Sequence, residues 1–553
     1  MGHSTNATVL NSPHAATSAD IDSDVLDALV IGAGVNGVYQ LYKLREEGLN
    51  VRSVDAGAGP GGTWHFNRYP GSRFDSDSYI YGYFFSKEIY EGWEWSEHYA
   101  GYEEIERYVN YVVDKTDLRQ LMTFNTRVES ATFDQENNRW EVVTNTGETI
   151  RARFVVATLG LLSVPLYPPV PGREKFAGEA YHTGEWPDGV DLKNKRVAVV
   201  GVGASGVQVV TAIGKADEVA EMTVFQRTAN WCSPLRNRPI TPEEQAKLKT
   251  SMKELHHSSS NSFAGFLSYD LEALPPWQEH TPEQRRAHFE KIWALQGFAK
   301  FYANYSEFRT SPELNDEFCG FIADTIRERV KDPETAETLI PKDHRFGEKR
   351  PPFEDGYYEV FNKDNVALVD LLKTPMVEIT ERGIKTTEQE FEFDVIIFAT
   401  GFDAITGPYN QIDIRAGDTT LKEAWEHGLL TNHGIQTPGF PNLLFGYGPH
   451  SPGGNVPRCA EPQIHFVTEL LVKALREDHA RLETTSEAAE AWTQEVADRI
   501  AGTVFENAKD WRSGANVPGA KTVAYRFFAG GLDTYIAKLN KIREADYEGF
   551  EFS

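Results

Sequence analysis

Twice along this chain, apolar and polar positions follow one order: a short continuous apolar run, a glycine-rich turn, an amphipathic stretch of helical period, and a second apolar run. The first instance reads "DALVIGAGVNGVYQLYKLREEGLNVRSVDAG". Apolar Ala28 to Ile31 predicts a buried strand that runs into Gly32, Gly34 and Gly37. Val38, Leu41 and Leu44 then share one helical face, and "NVRSV" predicts a second strand ending at Asp55. Strand, GxGxxG, helix, strand and acid is the context in which such a motif binds a dinucleotide. The glycines let the backbone approach a pyrophosphate, and the helix N-terminus offers free N–H groups to it. Asp55 accepts hydrogen bonds from a ribose and repels a 2′-phosphate, so this site suits FAD. The plainer alternative is a glycine turn with no ligand.

The second instance is "KRVAVVGVGASGVQVVTAIGKADEVAEMTVFQRT", with Gly201, Gly203 and Gly206 in the turn and Ser205 and Gln208 on the first helical turn. Its second strand ends not in an acid but at Gln226, Arg227 and Thr228. A guanidinium there binds a 2′-phosphate through paired donors, which points to NADPH rather than NADH. Arg227 as a solvated surface charge is the alternative.

Two more apolar strands, Phe154 to Gly160 and Asp394 to Asp403, end in Ala-Thr-x-Gly and Ala-Thr-Gly. They are natural places for the chain to cross between two dinucleotide domains. Residues 235–340 read differently. "TPEEQ" at Thr241 and "TPEQ" at Thr281 each place Thr at the N-cap, Pro at N1 and Glu or Gln at N3, so they predict helix starts in a helical insertion. "HHSSSNS", from His256 to Ser262, reads as a polar loop, without the spacing of a metal site. "KFAGEAYHTGEWPDG", from Lys175 to Gly189, has neither helical nor strand period and reads as a linker between the two glycine domains.

The predicted fold is therefore α/β, with two Rossmann-like domains and a helical insertion. The division expected is a flexible tail at 1–24, an FAD domain at 25–160 and 390–553, an NADP domain at 161–234 and 341–389, and the insertion at 235–340. The length of 553 residues accommodates that many units. Hydrophobic content of 40% and charged content of 25% are ordinary for a globular protein. The N-terminal stretch lacks the basic start and apolar core of a secretory signal, Gly2 alone is a poor membrane anchor, and no apolar run is long enough to span a membrane. Cys232, Cys319 and Cys459 are far apart and odd in number, which argues against a disulfide framework or a zinc ribbon and for a reducing cytoplasm. A formal net charge of −27 opposes binding to nucleic acid or anionic membrane.

After Asp55 the chain reads "GPGGTWHFNRYPGSRFDSDSYIYGYFFS". Together with the linker, this loop resembles the type I Baeyer–Villiger monooxygenases, class B flavoprotein monooxygenases whose fingerprint is Phe-x-Gly-x-x-x-His-x-x-x-Trp-Pro. Phe176, Gly178, His182, Trp186 and Pro187 complete it, just before the second GxGxxG. Gly62, Trp64, Tyr69, Pro70, Gly71 and Asp75 match a second fingerprint. Lys349 and Arg350 match the family's Lys-Arg pair, and "DWRSGANVPGAK" matches its C-terminal segment at Trp511. Arg512 stands where the family more often has an aromatic residue, Val517 where it has Ile, and "FPNLLFGYGPHSPGG" departs from its usual form. The resemblance covers residues from about 25 to 545.

The resemblance implies an NADPH- and O₂-dependent enzyme that inserts one oxygen beside a ketone carbonyl, giving an ester or lactone through a flavin C4a peroxide and a tetrahedral adduct. It implies Arg350 as the catalytic cation with Asp75 as its partner. It implies Gly62, Thr63, Trp64 and Tyr81 at the flavin, Lys349 beside Arg227 and Thr228 at the 2′-phosphate, and Trp511 at the NADP and substrate pocket. Trp64 and Tyr69 read as packing beneath the flavin, and core packing is the plainer reading of Trp511. His182 reads as a neutral imidazole bridging two segments, not as a base. A sulfide or amine monooxygenase using the same flavin chemistry, and a flavin-binding regulator without turnover, are the alternatives. Which ketone is taken, and the oligomeric state, monomer or small homo-oligomer, are not legible.

Overall fold

A computed structural model describes residues 24–269 and 271–553; the expected tail, but for Asp24, lies outside them. The two glycine-turn units are built on two separate sheets, each with a parallel core. In the first, of nine strands, Val25–Ile31 lies between Val51–Val54 and Thr149–Ala157. Leu443–Phe445 adds in parallel beyond Thr149–Ala157. An antiparallel extension, Val128–Asp134 with Arg139–Thr144, carries Asp413–Ala416 at its edge. The helix Val35–Glu46 lays Val38, Leu41 and Leu44 against this sheet, all fully buried, as the 3.6-residue period requires.

The second sheet has five parallel strands, with Arg196–Val200 and Glu221–Gln226 near its centre and Val366–Asp370 at one edge. Two expectations are corrected here. Val395–Phe398, assigned with 390–553 to the FAD unit, pairs instead with Arg196–Val200 and with Glu179–His182. All four of its residues are buried, because a parallel strand inside a sheet covers both faces. Residues 390–398 therefore belong to the second unit. Glu179–His182, within the stretch that shows no period, is that sheet's edge strand. Only one of its four residues is buried, so its side chains carry no alternation, and the backbone ladder holds it in place.

The chain crosses between the sheets twice, after Ala157 and after Phe398. The two crossings lie antiparallel and bond to one another: Leu166 N–H donates to the Gly401 carbonyl at 2.9 Å, Asp403 to Val164 at 2.8 Å and Ile405 to Leu161 at 2.9 Å. This ribbon, rather than Lys175–Gly189, is the covalent connection between the units.

The insertion is helical, with Pro242–Thr250 and Pro282–Trp293 opened by capping boxes at Thr241 and Thr281. Its Phe289, Phe318 and Ile322 share one core with Val199, Val207 and Val224 of the second sheet. "HHSSSNS" is not a loop: Met252–Ser260 is helix, within which Ser259 donates its hydroxyl to the Leu255 carbonyl at 2.8 Å. His256 on this helix pairs with Glu461, 3.2 Å away on the helix Val456–Arg476.

Candidate active site

Each glycine turn is built so that backbone closes on backbone. A Cβ on Gly37 would stand 2.0 Å from the Gly32 carbonyl, and one on Gly206 2.1 Å from that of Gly201. Gly32 and Gly201 both have positive φ, and each faces the end of a crossing strand, at Thr158 and Ala399. The two Ala-Thr ends thus do the same work, one in each unit. Gly34 and Gly203 are N-caps with no side-chain bond, so the first N–H groups of both helices are left to a ligand. A Cβ on Gly203 would meet nothing within 4 Å, and Gly62 lies so near Gly34 that its Cβ would stand 2.8 Å from Gly34 Cα. Both cradles fit a pyrophosphate. Asp55 accepts from the N–H of Ala33 and of Gly57, each at 2.6 Å, which aligns its carboxylate beside the first turn.

The loop after Asp55 docks the first unit onto the second glycine helix, Ala204–Ala216. Tyr69 donates its hydroxyl to Gln208 Oε1 at 2.7 Å, and Gln208 Nε2 donates to the Arg73 carbonyl at 3.0 Å. Ser205 also reaches the buried Tyr69 hydroxyl, whose pKa burial raises. Gly71 has φ of +81°, and a Cβ there would stand 2.7 Å from the Gln208 carbonyl, so only glycine allows this approach. Thr63 opens a short helix, Thr63–Phe66, that carries Trp64. Trp64 Nε1 donates to the Tyr81 hydroxyl at 3.0 Å, and Phe74 packs edge-on against the Trp64 ring at 5.7 Å. Burial pushes the Tyr81 phenol up to about 12.

Asp75 and Arg350 meet at this joint, 275 residues apart in sequence. Arg350 Nη2 donates to Asp75 Oδ2, and Nη1 donates to the Pro351 carbonyl at 2.9 Å. Phe298 and Phe353 flank the guanidinium at 5.9 and 5.7 Å. Asp75 Oδ1 is buried and unpartnered, an acceptor available to a donor on a bound cofactor.

Lys349 Nζ pairs with Asp343 at 3.0 Å, so its expected place at a 2′-phosphate requires it to leave that partner. Arg227 is exposed, and Thr228 is half-buried. Trp231, four residues past Arg227, donates its Nε1 to the His344 carbonyl at 2.8 Å and so ties this strand end to the loop that leads to Lys349. Trp511 stands edge-on to Phe527 at 5.8 Å and packs with Leu161, Ala404 and Ile405 of the crossing ribbon. Ile405 has φ of 69°, a left-handed conformation costly for a β-branched residue.

The fingerprint residues serve the second sheet and the ribbon. Gly178 passes so near the Asp394 carbonyl that a Cβ would stand 2.5 Å away, and Phe176 packs in the core on that side. His182 is 1% exposed, between Tyr167 and the ribbon's Phe402 at 5.1 and 5.5 Å. Its Nδ1 accepts from the Gly184 N–H at 3.0 Å. Burial lowers its pKa to about 4, against the pull of Glu185 and of the Leu166 and Gly401 carbonyls, so the ring is neutral near pH 7. Trp186 shares a core with Tyr69, and with Pro187 it walls a cavity of about 330 Å³ whose other side is Pro70, Gly71 and Ser72. Asp510, unremarked in the sequence, accepts the backbone N–H of Arg350 at 3.0 Å. No motif announces it, because its effect runs through a backbone amide 160 residues away.

Residues 27–236 match the family model "Flavin-binding monooxygenase-like". The chain is 42% identical to a cyclopentanone 1,2-monooxygenase of Comamonas sp. over 96% of each chain. It is 39% identical to a phenazine N-monooxygenase of Lysobacter antibioticus, over 96% of this chain and 98% of the relative. The solved structure of OTEMO in complex with FAD and NADP superposes with a TM-score of 0.91 at 37% identity, over 96% of this chain and 100% of that one.

Proposed function

This chain belongs to the Baeyer–Villiger monooxygenases of the flavin-binding monooxygenase-like family, and on that premise we propose how its residues carry out the reaction. It is an FAD-containing, NADPH-dependent monooxygenase that inserts one oxygen atom beside a ketone carbonyl to give an ester or lactone. The observation that supports the catalytic reading is the Arg350–Asp75 pair at the joint between two glycine-turn units. Bound FAD, reduced by NADPH, supplies the activation of O₂.

The protein's task is to hold negative charge that develops on oxygen as the ketone carbonyl is attacked. Arg350 does this without changing protonation, since a guanidinium stays charged throughout. Asp75 orients it, and the faces of Phe298 and Phe353 limit where it can swing. The N-termini of the two glycine helices bind the pyrophosphates, and Asp55 binds the ribose of FAD. Arg227, Thr228 and Lys349 bind the 2′-phosphate of NADPH, Lys349 exchanging Asp343 for the phosphate. Trp511 and Phe527 form an apolar wall that keeps water from the reacting oxygen.

Arg350→Ala is expected to lower ester formation about 100-fold or more while the protein retains FAD, the scale on which preorganised charge acts. Ketone-dependent product followed by mass spectrometry with labelled O₂ tests this. Ester formed at near the wild-type rate would refute the assignment. The likeness to a phenazine N-monooxygenase favours nitrogen oxidation as a second reading. Trp186-Pro187 counts against it as the main activity, and a panel of ketones, sulfides and amines separates the two. The three cysteines are buried and unpaired, which supports a cytoplasmic site of action.

A further inference from the structure

We propose that Asp510 and Arg512 form a latch that positions Arg350 and couples its placement to that of Trp511. The inference rests on the reading of Arg350 as the catalytic cation. Arg512 is 7% exposed, and its donors have specific acceptors. Nε lies 3.1 and 2.9 Å from the two Asp510 oxygens, and Nη2 donates to the Gly347 carbonyl at 3.1 Å and the Glu348 carbonyl at 2.7 Å. Asp510 in turn accepts the N–H of Arg512 at 2.9 Å and the N–H of Arg350 at 3.0 Å. One carboxylate and one guanidinium thus hold the backbone on both sides of Lys349. The rings of Phe505 and Tyr525, 5.6 and 5.7 Å from the guanidinium, complete its enclosure.

The local sequence explains why such a hold matters. Arg350 is followed by Pro351 and Pro352, neither of which has an N–H. The Arg350 amide is therefore the last backbone donor before the short strand Phe353–Glu354 pairs with Ser233–Pro234. Among the described residues that amide has no partner other than Asp510, and only Arg512 bonds the Gly347 and Glu348 carbonyls to the C-terminal loop. Trp511 lies between the two latch residues, so the loop that brings Trp511 to the pocket also fixes the backbone of Arg350. An aromatic residue at 512 provides no such fork of donors.

The test compares the FAD-loaded wild type with Arg512→Met, Asp510→Asn and the double variant, which replaces the buried pair by two neutral groups and leaves no lone charge. Misplacing a catalytic group by about 1 Å costs on the order of 100-fold, so ester formation per turnover is expected to fall about 10- to 100-fold. NADPH oxidation then ends in hydrogen peroxide, and the FAD content is unchanged. Amide exchange across 347–353 and 509–513 should quicken together in the variants and match closely in the wild type. The two losses should not add, since the groups act as one unit. Variants that lose only thermal stability, with ester and peroxide yields as in wild type, overturn the proposal, as do wild-type segments exchanging at rates more than about tenfold apart. Arg350→Ala in the same assay keeps the two readings apart. If that variant is active, the catalytic reading fails; if it is inactive while Arg512→Met remains fully coupled, only the latch fails.

Discussion

On the proposed reading, Arg227 and Lys349 are the side chains that choose between two cofactors differing by one phosphate. Arg227 follows the strand Glu221–Gln226 and is exposed, so its donors are free for a ligand. Lys349 is held by Asp343, and on the proposed reading the more highly charged phosphate would displace that partner. Charge-assisted bonds of this kind are worth about 1.5–3 kcal/mol each. Arg227→Ala is therefore expected to raise KM for NADPH tenfold or more, and to leave oxidation of NADH within about twofold. Steady-state kinetics with both nucleotides decides it; an equal loss with both would show that Arg227 does not read the phosphate. The type of residue that ends each second strand, acid or arginine, is visible in the sequence. The ion pair that holds Lys349 back is not, because Asp343 becomes its partner only once the loop has folded.

Among elements, the stretch Lys175–Gly189 changes most between sequence and structure. Its lack of period is real, yet Glu179–His182 forms a strand, because ladder bonds to Val395–Phe398 need no side-chain alternation. His182 stands at the end of that strand, and Phe402 of the crossing ribbon packs on its ring. The element thus anchors the second sheet to the connection between units. His182→Ala opens a cavity beside the ribbon, and the expected result is that more NADPH is oxidised per ester formed while FAD binding survives. Simultaneous measurement of NADPH consumption, peroxide and ester checks this. Loss of FAD with coupling intact would assign His182 to the first unit instead. The segment "HHSSSNS" differs from its sequence reading for a related reason. Serine and histidine are weak helix formers in isolation, but here His256 bonds to Glu461 across the interface between two helices.

At the scale of the whole molecule, several histidines are buried neutral. Burial lowers His182 and His450 to about 4 and His433 to about 3. An unfolded chain protonates such groups near the ordinary value of about 6.5. Their stabilising contribution is thus complete above that pH and is lost as the pH falls below it. Each contributes a slope of up to about 1.4 kcal/mol per pH unit. Asp77 has the opposite sign: burial raises it to about 6, so acidification protonates it more readily in the fold. The net of the four is about two protons, and the thermal midpoint should fall steadily from about pH 6.5 towards 5. A level profile across that range would contradict the burial of these rings, and His450→Asn should remove about one proton from the slope.

Local order determined the two nucleotide units. Glycine spacing, strand runs and the residue closing each unit are short-range features, and so are the capping boxes at Thr241 and Thr281. The insertion helices that start at Thr241 and Thr281 and the buried face of Val35–Glu46 follow from them. Tertiary structure alone decided that Val395–Phe398 completes the second sheet, that the two crossings pair into one ribbon, and that Asp75, Arg350 and Asp510 meet. Those partners are separated by 160 to 275 residues. A hydrogen bond across such a separation leaves no periodic trace in either segment, because what brings the two together is the packing of the whole chain.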